Sequence, residues 1–218
     1  MSGLAKNLIT ETLSGKTIWR VLFNHQLEKI KVGGEILDLG AGTERSSYFR
    51  FLKLEDNHKI TSIDITNERK PDIIANLEEG IPLPDNSFGY VMCFNLLEHI
   101  YDYQKVINET YRVLKPQGVL IGTVPFVMRY HADPSDYFRY THQALKKIFE
   151  IAGFKEIIIK PLGYGPFVAG FSQIEYLLPG FIKIFIIPIM ILLDKLLLKI
   201  KKHFKNSYVL GYLFEVKK

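Results

Sequence analysis

Two aspartates and a glycine pair carry the most chemistry in this sequence. Asp38-Leu-Gly40-Ala-Gly42 follows Glu35–Leu39, a short apolar run that reads as a buried strand, and precedes a stretch with helical spacing. In a doubly wound sheet such a turn lies at the carboxyl edge of the strands, where ligands bind. Glycines let the backbone approach a ligand closely, and the helix start behind them offers free N–H groups. Asp64 closes the next strand, 22 residues beyond Gly42. A carboxylate there accepts hydrogen bonds from both ribose hydroxyls of a nucleoside. A lone G-x-G would signal only a tight turn. Strand context and two acidic residues together favour a nucleoside site.

Charge narrows the choice of nucleoside. Dinucleotide sites use G-x-G-x-x-G and aim a helix N-terminus at pyrophosphate. Here the third glycine would fall at Arg45, and Asp38 would set a negative charge beside the phosphates. S-adenosylmethionine has no phosphate and carries an ammonium and a sulfonium, so a neighbouring carboxylate suits it. Electrostatics points away from NAD.

A second polar cluster, His131-Ala-Asp-Pro-Ser-Asp-Tyr-Phe-Arg-Tyr-Thr141, lies between a fifth strand and the next helix, at the edge where the cofactor opens. Methyl transfer aligns a nucleophile with the methyl–sulfur bond, and needs a base only when that nucleophile is poor. His131 can take a proton near neutral pH, Asp136 can orient it, and Tyr137 and Tyr140 can wall the site. In the competing reading, Asp136 and Arg139 are a loop-ordering ion pair and the tyrosines are core. His99 reads as a structural, hydrogen-bonding histidine. No metal is expected.

The elements that must position these residues alternate. Residues 4–31 and 43–54 read as helical, and Lys59–Asp64, Asp72–Ala75, Phe88–Phe94 and Val119–Val124 as strands. A helix through Val106, Ile107, Tyr111, Val113 and Leu114 stops at Lys115-Pro-Gln-Gly118. Thr141 caps another helix ending at Gly153, and Lys155–Lys160 and Tyr208–Val216 complete the strands. The expected fold is α/β: a Rossmann-like, doubly wound, mainly parallel seven-stranded sheet with a helical hydrophobic insertion before its last strand. One domain suffices for 218 residues, with a helical cap at 1–33, a cofactor-binding core at 35–160, an insertion at 161–207 and the last strand at 208–216. One cysteine, Cys93, excludes an internal disulfide framework and suits a reducing cytoplasm, and no signal peptide is read at the N-terminus.

Residues 35–160 resemble the class I methyltransferases of the type-11 group. The resemblance rests on Glu35-Ile-Leu-Asp-Leu-Gly-Ala-Gly-Thr43, Ile63-Asp64, Ile81-Pro-Leu-Pro-Asp-Asn-Ser-Phe88, Leu97-Glu-His99, and Arg112-Val-Leu-Lys-Pro-Gln-Gly118 leading into Val124-Pro125. It implies an antiparallel last strand and S-adenosylmethionine as cofactor, leaving S-adenosylhomocysteine as product. Gly40, Ala41 and Gly42 would line the methionine part, with Asp38 near its ammonium. Asp64 and Ile65 would meet the ribose, Asn76 and Leu77 the adenine, and Asn95 the methionine moiety. The sequence departs from the family at Glu44, in place of a usual third glycine, at Asn76 for a common aspartate, and at Gly89 for an aspartate. Only Thr66–Pro71 separate the second and third strands, too few for the customary helix.

The net charge of +5 sits in the tail: residues 181–218 hold eight lysines against Asp194 and Glu215, leaving the preceding 180 residues near neutral. That is no basic face across the fold, and no nucleic-acid partner is expected. The 47-residue insertion Pro161–Ser207 contains ten apolar residues, Ile184–Leu193, and then a lysine-rich stretch. About 20 apolar residues span a bilayer, so a spanning helix is not expected, and Pro188 would kink one. An interfacial helix with Lys199, Lys201, Lys202 and Lys205 toward anionic headgroups, a lid over an apolar pocket, a dimer contact and a helical hairpin packed on the domain stay open. The function these features imply is methyl transfer to a small-molecule or lipid-like acceptor: a lipid, a quinone-like ring or a saccharide carrier. A non-catalytic cofactor-binding scaffold is the alternative. The expected place is the cytoplasm, with peripheral membrane contact through 181–205 left open.

Overall fold

The computed structural model describes residues 3–41, 47–68 and 70–218. Seven strands form the main sheet: β1 (Glu35–Leu39), β2 (Lys59–Asp64), β3 (Ile73–Ile74), β4 (Phe88–Phe94), β5 (Leu114–Pro125), β6 (Glu156–Leu162) and β7 (Gly211–Lys217). Their order is β3-β2-β1-β4-β5-β7-β6, and β7 alone runs antiparallel to its neighbours. The expected seven-stranded sheet with an antiparallel last strand is therefore the one observed. The order reverses between β1 and β4, which makes the carboxyl ends of those strands the switch point of the fold.

Strands covered on both faces need apolar residues on both, which is why β1 and the centre of β4 read as continuous runs. Ile36, Leu37 and Leu39, and Val91, Met92 and Cys93, are almost fully buried. Leu37, Leu39, Val91 and Cys93 face the helices α3 (Tyr103–Val113) and α4 (His142–Ala152), while Ile36 and Met92 face a second core on the other side. Local capping sets the starts of both helices: Asp102 accepts from the Lys105 N–H at 3.2 Å and Thr141 from the Ala144 N–H at 3.1 Å.

Three local expectations change. The stretch 4–31 is two helices, α1 (Gly3–Leu13) and α2 (Ile18–Leu27), because Thr17 caps a new helix and the Glu175 carboxylate accepts the Ile18 N–H at 2.9 Å. Of the helix expected at 43–54, residues 43–46 lie outside the described residues. The remainder of that stretch forms a single 3-10 turn, Phe49–Phe51, and a two-residue strand, Lys53–Leu54, paired with Lys31–Val32. Lys115–Gly118 stops α3 as expected but joins β5, where the pairing with β4 shifts register between Phe88 and Tyr90.

The insertion folds as α5 (Pro166–Ser172) and α6 (Gly180–Ile200), the latter continuing through Pro188. Pro166 opens α5 without an N–H, so the first free donors are Phe167 and Val168. Both bond to the fully buried Asp194 of α6, at 2.9 Å each. Gly165 permits this approach, since a Cβ there would stand 2.7 Å from Asp194 Oδ1. One face of α6 buries Lys183, Ile187, Ile191 and Asp194. About half a turn away, Phe181, Phe185, Ile189, Leu192, Leu196 and Ile200 are exposed, from 49% to 81%. Among the described residues no helix is long and apolar enough to cross a membrane.

Candidate active site at the carboxyl edge of the sheet

The cofactor candidates stand on four neighbouring strand ends. Asp38 lies in β1 between Ser62 of β2 and Met92 of β4. It is 3% exposed, and burial pushes its carboxyl up to about 8. A cation brought beside it would offset that cost. The chain then turns at Gly40, at φ 68°, where the N–H groups of Gly40 and Ala41 reach the Ile63 carbonyl at 2.8 and 3.2 Å. A Cβ on Gly40 would meet Leu96 Cδ1 at 2.8 Å, so the β1 turn and the segment after β4 are in close contact. Gly42 lies outside the described residues, as do Glu44 and Arg45.

Asp64 ends β2, and its Oδ1 accepts from the Thr66 N–H at 2.9 Å and the Thr66 hydroxyl at 3.3 Å. This Asx-type bond fixes the carboxylate at the strand end without burying it. Ile65 is half exposed beside it, whereas Leu77 is in the core. Asn76 is folded onto its own loop, accepting from the Glu78 N–H at 3.0 Å and donating to Glu79 Oε1 at 3.2 Å. Asn95, in left-handed backbone at φ 50°, accepts from the Thr123 hydroxyl and donates to the Tyr48 oxygen, each at 3.2 Å. The fold thus brings Asp38, Gly40, Ala41, Asp64 and Asn95 to one edge.

The loop 131–141 is tied to the segment after β4. The Tyr137 N–H donates to the Glu98 carbonyl at 2.7 Å, the Tyr140 hydroxyl to the Leu97 carbonyl at 2.9 Å, and His99 Nδ1 to the Ser135 carbonyl at 2.5 Å. Asp136 is held by both terminal nitrogens of Arg139, at 2.5 and 2.7 Å, and accepts the His131 backbone N–H at 2.8 Å. These bonds hold its carboxyl well below the usual carboxylate range. The loop-ordering reading therefore describes Asp136, Arg139 and the buried Tyr140, while Tyr137 stays half exposed, edge-on to Tyr101. The His131 ring reaches past Asp136, 3.5 Å from its Nδ1, toward Glu98.

Glu98 is the residue that sequence reasoning missed. It is fully buried, and neither carboxylate oxygen has a hydrogen-bond partner among the described residues. Its Oε1 lies 3.9 Å from Nε2 of both His99 and His131. Its one signal in the sequence is an acid inside the apolar context Leu96-Leu-Glu-His-Ile100. A separate concavity of about 310 Å³ lies toward the amino ends of β4 and β5, against the end of α2. Lys160 and Glu215 pair there at 2.7 Å, away from the strand-end loops.

A mainly parallel sheet with this order, an antiparallel last strand and a nucleoside-type turn at its switch point defines the class I methyltransferase fold. A solved S-adenosylmethionine-dependent methyltransferase from Archaeoglobus fulgidus shares it, with a TM-score of 0.62 and 17% identity, covering 91% of this chain and 94% of that one. Residues 37–122 match the family described as a methyltransferase domain. A demethylmenaquinone methyltransferase of Listeria welshimeri is 27% identical over 57% of this chain and 60% of its own length. An uncharacterised protein of Methanocaldococcus jannaschii is 32% identical over 68% of this chain and 61% of its own. The matched region thus spans about three-fifths of these relatives. Residues 37–122 therefore match a methyltransferase domain, and the chain as a whole shares its fold with solved S-adenosylmethionine-dependent methyltransferases.

Proposed function

We propose that the protein transfers the methyl group of S-adenosylmethionine to a small or membrane-presented acceptor bound under the loop 131–141. One observation carries the reading: Asp38, the Gly40-Ala41 turn and Asp64 stand together at the ends of adjacent parallel strands. The residues fit the cofactor's charge. Asp38 is a desolvated carboxyl that gains from a cationic partner, and Asp64 offers a fixed acceptor to a ribose. Gly42, Ile65, Asn76 and Leu77 complete the assigned contacts, with Asn95 on the methionine side. When bound, the cofactor supplies an electrophilic methyl group.

The chain's own part is positioning. Asn95 is braced against β5 through Thr123, and the loop is pinned to the segment after β4, so the acceptor side is rigid where it meets the crevice. Of the three acceptor-side candidates, Asp136 acts by position, ordering Arg139 and the His131 backbone. His131 and Tyr137 are the ones that reach the acceptor. Calorimetry with S-adenosylhomocysteine and with NAD tests the nucleoside. One S-adenosylhomocysteine per chain and no NAD is the expected result, and the reverse would replace this reading with an oxidoreductase. Turnover over a panel of quinone-like, lipid and saccharide-carrier acceptors separates the enzyme from a cofactor-binding scaffold.

A lipid-like or quinone-like acceptor is favoured by α6. Its outer face is an unbroken apolar stripe from Phe181 to Ile200, and Lys195, Lys199, Lys201 and Lys202 are exposed near its end. The Lys205 side chain lies outside the described residues. Such a face suits the headgroup boundary of an anionic membrane or a second copy of the chain. The quinone-related name of the Listeria relative agrees with the first. Flotation with anionic vesicles, beside sedimentation without lipid, distinguishes the two.

A further inference from the structure

The loop 131–141 closes over a cluster of which the methyl-transfer reading uses only His131. Glu98 Oε1, His99 Nε2 and His131 Nε2 lie within 4.8 Å of one another, and the two oxygen–nitrogen distances are each 3.9 Å. The hydrogen bonds of the rings decide what these atoms are. A carbonyl only accepts, so His99 Nδ1 carries the proton shared with the Ser135 carbonyl at 2.5 Å. His131 Nδ1 faces the Arg129 carbonyl at 3.1 Å and Asp136 Oδ2 at 3.5 Å, two oxygens that call for a proton on that nitrogen. Arg139 Nη2 is also near, at 3.4 Å, but it is already donated to Asp136 and to the Arg129 carbonyl. With Nδ1 of each ring committed to a carbonyl, both rings turn Nε2 toward a carboxylate oxygen that has no hydrogen-bond partner among the described residues.

Two imidazole nitrogens and a carboxylate oxygen converging on one largely buried point call for a cation between them, either a proton or a metal ion. We propose that Glu98, His99 and His131 form a binding site for a divalent transition-metal ion, of which zinc(II) suits the donors best. Two imidazoles and one carboxylate make a three-ligand zinc set, with a fourth position left for water or substrate. Each histidine also gives its other nitrogen to a main-chain carbonyl, the outer contact that orients a ligating ring. Bonds of about 2.0–2.1 Å in a tetrahedron put ligand atoms about 3.4 Å apart. The 3.9 Å separations close to that by small rotations of the ring and carboxylate torsions. The His131 side chain is 32% exposed, against 10% for His99 and none for Glu98, so the open position faces solvent on the His131 side. Leu96, two residues before Glu98, touches Gly40, which sets the site beside the nucleoside turn.

The full chain, stripped with a chelator, is titrated with zinc(II) by calorimetry, and its bound metal is counted by elemental analysis. One ion per chain is expected, with at least a tenfold loss of affinity in Glu98→Gln and in His131→Asn. Cobalt(II) reports the geometry: a visible absorption band of a four- or five-coordinate ion is expected in the wild type and absent in Glu98→Gln. Circular dichroism checks that both variants fold. No stoichiometric binding by the wild type would overturn the site, leaving the cluster to share a proton. Unchanged affinity in both variants would do the same, by placing the ion elsewhere. S-adenosylhomocysteine is titrated separately, so either ligand can fail without the other.

Discussion

The carboxyl edge of the sheet and the helical insertion each hold a carboxylate with no exposure at all, Glu98 and Asp194, and they treat it in opposite ways. In the insertion, Asp194 receives two backbone N–H groups from the first turn of α5. Its charge is matched by the helix start, and its work is to clamp α5 to α6. At the sheet edge, Glu98 receives nothing from the described residues, and burial pushes it up to about 8. Burial alone therefore does not separate a structural acid from a functional one. The count of donors does: a satisfied carboxylate holds the fold, and an unsatisfied one is kept for something else.

The sharpest test of that contrast is a pair of isosteric changes. Asp194→Asn turns an amide toward two N–H donors and should cost about 3 kcal/mol in chemical denaturation, at the upper range for charged hydrogen bonds. Glu98→Gln removes no hydrogen bond and should stay within about 1 kcal/mol of wild type in chelator. Equal losses would erase the distinction.

Asp38 gives a pH signature. Its unfolded carboxyl loses a proton near pH 4, while the folded one keeps it to about 8, so between these values the folded state binds more protons. Stability should fall as pH rises from 4 to 8, by up to about 1.4 kcal/mol per pH unit from this group. Asp38→Asn should flatten that slope in urea titrations across the range, and an unchanged slope would assign the burial cost elsewhere. If Asp38 meets the cofactor's ammonium, S-adenosylhomocysteine binding at pH 7 should also release a proton, seen as buffer-dependent heat.

Asp64→Ala should weaken S-adenosylhomocysteine by more than tenfold, about 1.4 kcal/mol, with little change in Tm, since Asp64 is not buried. An unchanged dissociation constant would remove the ribose contact. The smallest effect on stability belongs to the outer face of α6. Phe185→Ser with Leu192→Ser, at 70% and 56% exposure, should alter stability by less than about 0.5 kcal/mol each and still abolish vesicle flotation. Retained flotation would move the membrane contact off this helix.

Much of this molecule was readable along the chain. The bounds of β4, the cap at Thr141, and the turn after β1 depend on contacts within a few residues, and local pattern records those. The two-helix split at Ser14–Thr17 was not readable, because Glu175, far along the chain, completes the second helix start. The site shows the same boundary. Asp38, Gly40 and Asp64 were legible because strand-end position follows from strand order.

What the amino-acid sequence determined by itself was the parallel sheet, its switch point, and a carboxylate-flanked glycine turn there. Each rests on periodicity, on glycine's freedom of backbone, or on the sign of a nearby charge. Only the tertiary structure decided that Asp136 belongs to Arg139, that Asp194 clamps the insertion, and that Glu98 meets two imidazole nitrogens. Those outcomes depend on which donors reach a buried carboxylate from elements distant in sequence. Desolvation makes such pairings decisive, and no local pattern encodes them.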